Sequence, residues 1–189
     1  MTKLNTQIKF TYKDYKSLPE SETKRYELIE GELIMVPSPN FEHQQISGNL
    51  EFLLRSFVQE KNLGTIIHAP LDVHLGEDVV QPDILFISKA RSKIITKEEI
   101  LGAPDLVIEI LSPATSELDQ TYKKTLYARH GVQEYWIVDP EKKTIEVMTL
   151  GKGGFESSDT YGKMDTMKSS FFLGLTINLS DAFDIGVST

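Results

Sequence analysis

Hydrophobic positions along the chain change their period several times, and each change marks an element. In "YELIEGELIMVPSP" (26–39), Leu28, Leu33 and Met35 flank Glu30-Gly31, which predicts a hairpin turning at that pair. In "NFEHQQISGNLEFLLRSFVQEKN" (40–62), Ile46, Leu50, Leu53, Leu54 and Phe57 recur at helical spacing, with His43 at the head of the helix. "GTIIHAPLDVHL" and "VVQPDILFIS" are short apolar runs interrupted by Pro70, Gly76 and Pro82, the signature of strands. "KARSKIITKEEILGAP" shows neither period and is expected to be a loop with at most one helical turn.

"DLVIEILSP" (105–113) is an apolar strand that stops at Ser-Pro, and "TSELDQTYKKTLYARHG" (115–131) predicts a helix capped by Ser116 and ended by Gly131. "EYWIVDP" and "KTIEVMTL" are strands joined at Pro140-Glu141. After "GKGG", a hairpin turn, "FESSDTYGK" and "SSFFLGLTINLSDAF" predict two more short strands and a final helical turn. Strand 105–111, helix and strand 134–139 form a βαβ unit, which implies a parallel pair. The expected fold class is α/β, a central mixed sheet flanked by helices, in a single domain spanning 1–189.

Composition narrows the setting. The 189 residues include no cysteine, so disulfides, thiolate zinc sites and a cysteine nucleophile are excluded, and a reducing cytoplasm fits. The opening 22 residues lack an apolar h-region and no later run approaches a membrane span, so a soluble cytoplasmic protein is expected. A net charge of −8 argues against binding nucleic acid by bulk electrostatics, but leaves room for a site where a divalent cation supplies positive charge. Lys89, Arg91, Lys93 and Lys97 cluster in one segment and Lys123, Lys124 and Arg129 in another; such clusters are as often solvated faces as binding sites.

Strand alternation isolates two acids. Asp83 shares a face with Leu85 and Ile87, and Glu109 shares a face with Val107 and Leu111. An ionised carboxylate on an apolar face costs several kcal/mol, roughly, unless a cation or hydrogen bonds meet it. If the two strands are neighbours, Asp83 and Glu109 converge and repel. A shared proton or a bound divalent ion relieves this, and hard oxygen ligands suit Mg2+ or Mn2+. From spacing alone, a structural Lys or Arg partner for each acid is the commoner explanation. Tyr127, Tyr135 and Trp136 read as core, and no Gly-rich phosphate loop is present, because "GKGGF" lacks the spacing.

A Pro-Asp on one strand, an acid on the next core strand and a lysine close behind resembles the PD-(D/E)xK nuclease superfamily. The usual lysine position, two residues after the second acid, is Leu111. The longer phrases "YELIEGELIMVPSP", "QPDILFI", "GAPDLVIEILSP" and "LDQTYKKTLYARHGVQEYWIVDP" resemble the Uma2 (DUF820) family of restriction endonuclease-like proteins, over about 26–149. In that branch the lysine lies on the following helix in the pattern Asp, three residues, Lys, three residues, Tyr-Ala; Asp119, Lys123 and Tyr127-Ala128 fit it.

The resemblance implies a restriction endonuclease-like fold and Mg2+-dependent hydrolysis of DNA, with Asp83, Glu109 and Lys123 catalytic. Asp83 and Glu109 are expected to hold the metal, with Glu27 as a supporting acid, and His43 and Gln81 to contact substrate or a site water. The alternative for Lys123 is an i,i+4 pair with Asp119 on an exposed helix face. A homodimer is expected as the economical way to address two strands, with "SSFFLGLTINL" as a contact surface. The competing reading is a catalytically inactive nuclease-fold module that binds a partner protein or nucleic acid.

Overall fold

The structure, a computed structural model, describes residues 9–19 and 25–186. A short helix, α1 (Tyr12–Lys16), precedes the hairpin of β1 (Arg25–Ile29) and β2 (Glu32–Val36). The hairpin turns at Glu30 and Gly31, both at positive φ (50° and 81°), as a two-residue turn between right-twisted strands requires. Helix α2 (Phe41–Lys61) is capped by Asn40, whose side chain accepts the His43 N–H, and ends at Asn62 in the left-handed region.

Then follow β3 (Gly64–His68), β4 (Asp72–Leu75), β5 (Asp78–Val80), β6 (Ile84–Ser88), β7 (Glu99–Leu101) and β8 (Leu106–Ile110). The 115–131 segment is helical throughout, but in three pieces: α3 (Ser116–Leu118), a π-helical turn (Asp119–Lys123) and α4 (Lys124–His130). Strands β9 (Glu134–Asp139), β10 (Thr144–Gly151) and β11 (Gly154–Gly162) form a meander. Short β12 (Thr166–Lys168) and β13 (Thr176–Asn178) pair, and α5 (Leu179–Ala182) is the last described helix.

The expected α/β architecture with mixed sheet and flanking helices is present, divided over two main sheets. One has the order β11-β10-β9-β8-β6-β3, the other β2-β1-β5-β4-β7. In the six-stranded sheet β8 and β9 run parallel, as the βαβ unit requires, and the other pairs are antiparallel.

One face of that sheet (Ile66, Ile84, Phe86, Ile108, Trp136) packs on the apolar stripe of α2 and on the C-terminal segment. Burying Ile46, Leu50, Leu54 and Val58 of α2 contributes on the order of 1.5–3 kcal/mol each. The other face (Leu85, Ile87, Val107, Tyr135) packs on Leu126 and Tyr127 of α4 and on the five-stranded sheet. Among the described residues no helix is long and apolar enough to cross a membrane.

Two local expectations need correction. Segment 89–104 contains a 3-10 turn (Lys89–Ile94) and then strand β7, which pairs in parallel with β4 and is too short to show a period. Ser116 is the first helical residue and Thr115 occupies the cap position, without a side-chain cap hydrogen bond. In "SSFFLGLTINL", Phe172, Leu175 and Ile177 are buried in the main core while Leu173 is 88% exposed.

Candidate active site

Strands β6 and β8 are antiparallel neighbours in the register Ile84↔Ile108 and Leu85↔Val107. One residue beyond that register, Asp83 and Glu109 meet. The Asp83 N–H points at Glu109 Oε2 (3.4 Å), and the Ile110 N–H donates to Asp83 Oδ2 (2.8 Å). Glu109 faces the α4 side with Val107, as alternation requires, and is 3% exposed.

Lys123 lies behind the pair. Its Nζ is 2.9 Å from Glu27 Oε1, 3.2 Å from Glu109 Oε1 and 3.2 Å from Asp119 Oδ1. The i,i+4 pair with Asp119 therefore exists, but in the interior: Lys123 is 4% exposed and Asp119 2%. The four-residue spacing sets Asp119, Lys123 and, on α4, Tyr127 on one side of the helical segment, which is the buried side, and the segment between Asp119 and Lys123 is a π-helical turn of the kind that recurs at functional sites. The Tyr127 hydroxyl donates to Glu109 Oε1 at 2.7 Å.

The electrostatics follow from crowding in a dry place. Burial pushes the Glu109 carboxyl well above the usual range; the Lys123 ammonium opposes this, and Asp119, Asp83 and Glu27 add to it. Burial likewise raises Asp119. For Lys123, burial works against the charge, yet Glu109, Glu27 and Asp119 outweigh it and hold the ammonium well above its ordinary value. Burial and the Glu109 charge drive the Tyr127 phenol well up, so it stays a donor.

His43 enters from the first turn of α2, with Nε2 3.2 Å from Asp83 Oδ2. Burial would lower the ring, but the hydrogen bond and the charge of Asp83 prevail and raise it. Gln81 supports the site from behind: its backbone N–H donates to Glu27 Oε1 (2.7 Å) while its side chain donates to Asp72 Oδ1 (2.8 Å). The same Asp72 oxygen accepts the Tyr15 hydroxyl (2.9 Å), which ties α1 to the site through Asp72, Gln81 and Glu27. All six residues singled out in the sequence thus gather in one place.

They line one side of a cleft of about 990 Å³, whose rim includes Pro37–Asn40, Ser112–Ser116 and Pro140–Lys142. Of the acids, Asp83 opens furthest to it, its side chain 21% exposed. Asp119 and Tyr127 belong to the cluster and were missed as site residues. Their four-residue spacing from Lys123 was the available signal, an acid, a base and a phenol on one side of a helix that otherwise packs on a core.

Among the described residues, no three His, Asp or Glu side chains are arranged as a ready cage for a metal ion. The donor set still suits a hard cation. Hydrogen bonds between described residues engage Oδ2 of Asp83 and Oε1 of Glu109, while Oδ1 of Asp83 accepts none and Oε2 of Glu109 accepts only the long Asp83 N–H contact. Mg2+ is commonly held by one or two carboxylates, with water and substrate phosphate completing its shell.

A family model described as "Uma2: Putative restriction endonuclease" matches residues 12–180. A relative from Synechocystis sp., the "Uncharacterized protein sll1609", is 24% identical over 131 residues, covering 68% of this chain and 74% of that one. A crystal structure from Anabaena variabilis, described as a "putative nuclease belonging to DUF820", matches with a TM-score of 0.77 at 28% identity, covering 92% of this chain and 97% of that chain.

Proposed function

The chain belongs to the Uma2 family, a nuclease-type family, and on that premise we propose that it is a divalent-metal-dependent endonuclease hydrolysing phosphodiester bonds of DNA. The observation that carries the reading is the convergence of Asp83 and Glu109 at a cleft, with the Lys123 ammonium 3.2 Å from Glu109. Two acids brought together in low dielectric carry excess negative charge, and a polyanionic substrate would add to it, so a cation is the partner that both need.

Asp83 and Glu109 would hold Mg2+ or Mn2+, which supplies Lewis acidity toward a phosphate and a more acidic bound water. The protein's own groups do the rest. His43 and the Ile110 N–H fix the Asp83 carboxylate, and Tyr127 fixes Glu109. Glu27 supports Lys123, whose ammonium would orient the attacking water or stabilise charge developing on the phosphorane. His43 and Gln81, which also line the cleft, would contact substrate or a site water. A homodimer would let one such site serve each strand, and sedimentation equilibrium measures it.

Purified protein should nick supercoiled plasmid in Mg2+ or Mn2+ and not in EDTA. Asp83→Ala and Glu109→Ala should abolish the nicking while keeping the circular dichroism of the parent. Nicking at the parental rate by either variant would end this reading. One observation favours the second reading, a non-hydrolytic module of the same fold: Lys123 is turned inward, 4% exposed. Under that reading Mn2+ leaves the melting temperature unchanged, whereas a site in the folded state must raise it.

A further inference from the structure

Lysine brings three N–H donors and no acceptor. Around Lys123, carboxylate oxygens of Glu27, Glu109 and Asp119 stand at 2.9, 3.2 and 3.2 Å, and its side chain is only 5% exposed. The three acids come from β1, β8 and the π-helical turn, the first of them about 80 or more residues before the other two. Each of the three would be costly to bury without a cation.

The acids are not equivalent. Glu27 Oε1 also accepts the Gln81 N–H, and Glu109 Oε1 also accepts the Tyr127 hydroxyl. Asp119 Oδ1 is buried and, among the described residues, has the ammonium alone as its neighbour of opposite charge. The Asp119 carboxylate meets the Thr115 side chain and, through Oδ1, faces the Lys123 ammonium as an ion pair.

We propose that Lys123 is the resident cation of the site and that Asp119 is the positioning residue that keeps it there. The ammonium gathers the Glu27, Glu109 and Asp119 carboxylates before any divalent ion arrives. The site is therefore assembled in the absence of metal, and an ion adds at the open Asp83 edge instead of organising the cluster. The inference rests on the proposed site but is read out without cleavage, so an inactive protein would end the nuclease reading and leave this one standing.

The tests are made in EDTA. The 1H–15N spectrum of wild-type lysine ammonium groups should show one slowly exchanging signal that disappears in Lys123→Arg; absence of such a signal overturns the proposal. Lys123→Met should melt roughly 10 °C lower than wild type, as expected for breaking a buried ion cluster. Adding Glu109→Gln should recover about half of that loss, and Mn2+ should raise the Lys123→Met melting temperature more than the wild-type one. A Lys123→Met protein as stable as wild type in EDTA overturns it. If that variant does not fold, Asp119→Asn decides. Its Lys123 ammonium signal should exchange faster, and where cleavage is measurable kcat should fall with KM unchanged and be restored by Asp119→Glu. Unchanged exchange removes Asp119 from the role.

Discussion

Two buried glutamates on neighbouring strands differ in how far the protein itself satisfies their charge. Glu134, at the start of β9, is fully buried, and its partners are neutral donors. Trp136 Nε1 and Ser169 Oγ reach Oε1 at 2.7 Å, and Ser170 Oγ and the Phe171 N–H reach Oε2 at 2.9 and 3.0 Å. Every oxygen is occupied, no second acid shares the network, and the result fastens the 169–171 segment to the sheet. Glu109, on β8, is as deeply placed, yet only one of its oxygens is firmly held and three other acids crowd it.

Burial alone therefore does not mark a site. What marks it is a charge excess that the protein leaves uncompensated beside an open cleft. A satisfied buried network adds rigidity; an unsatisfied one stores a preference for a ligand.

The sharpest way to break this contrast is to neutralise each glutamate in turn. Glu109→Gln should reduce metal-dependent plasmid nicking at least about 100-fold, the scale of losing a group that holds transition-state charge. Its melting temperature should stay level or rise, because one of several crowded charges is gone. Glu134→Ala should do the opposite, lowering the melting temperature by roughly 10 °C as buried donors lose their acceptor, with nicking per folded molecule unchanged. If both variants lose the same property, the distinction fails.

A smaller effect sharpens the account at the cleft edge. The folded-state pKa of His43 is raised above 6.5, so its bond to Asp83 stabilises the fold fully below that value and fades as pH rises through the raised one. In EDTA, the melting-temperature gap between wild type and His43→Ala should therefore be a few degrees at about pH 5.5 and close to nil at about pH 9. A gap that widens with pH would contradict the arrangement.

The smallest expected effect is remote. Tyr15→Phe removes the hydroxyl that α1 gives to Asp72, and should lower nicking by about 2- to 5-fold. In a Glu27→Ala background, which removes the acceptor of the Gln81 N–H, the same change should have no further effect on nicking; undiminished loss there would mean that Tyr15 acts by another route.

Much of the site was legible because it depends on short periods. Alternation put Asp83 with Leu85 and Glu109 with Val107, and the antiparallel pairing of β6 and β8 did the rest. The family-like phrases selected Lys123 over Lys124, and the structure turns Lys123 inward to Glu109. The spacing already paired Asp119 with Lys123, but it carried no sign that this side of the helix would be buried, which made the pair read as a solvated one. Glu134 escaped notice because a strand's first residue gives no sign of which side it will face or what will meet it. Strand β7 and the inward packing of Phe172 depend on partners distant in the chain, and local pattern carries no record of them.

The sequence by itself determined most of the elements, the parallel βαβ pair and the faces on which Asp83 and Glu109 lie, since each is set by the steric period of a few adjacent residues or by the connection between them. Only the tertiary structure decided that Glu27, Glu109 and Asp119 share one ammonium and that Glu134 is satisfied by serines 35 and 36 residues away. The physical reason is that electrostatic and hydrogen-bond partnership depends on distance in space, and chain order constrains that distance only after the sheets have closed.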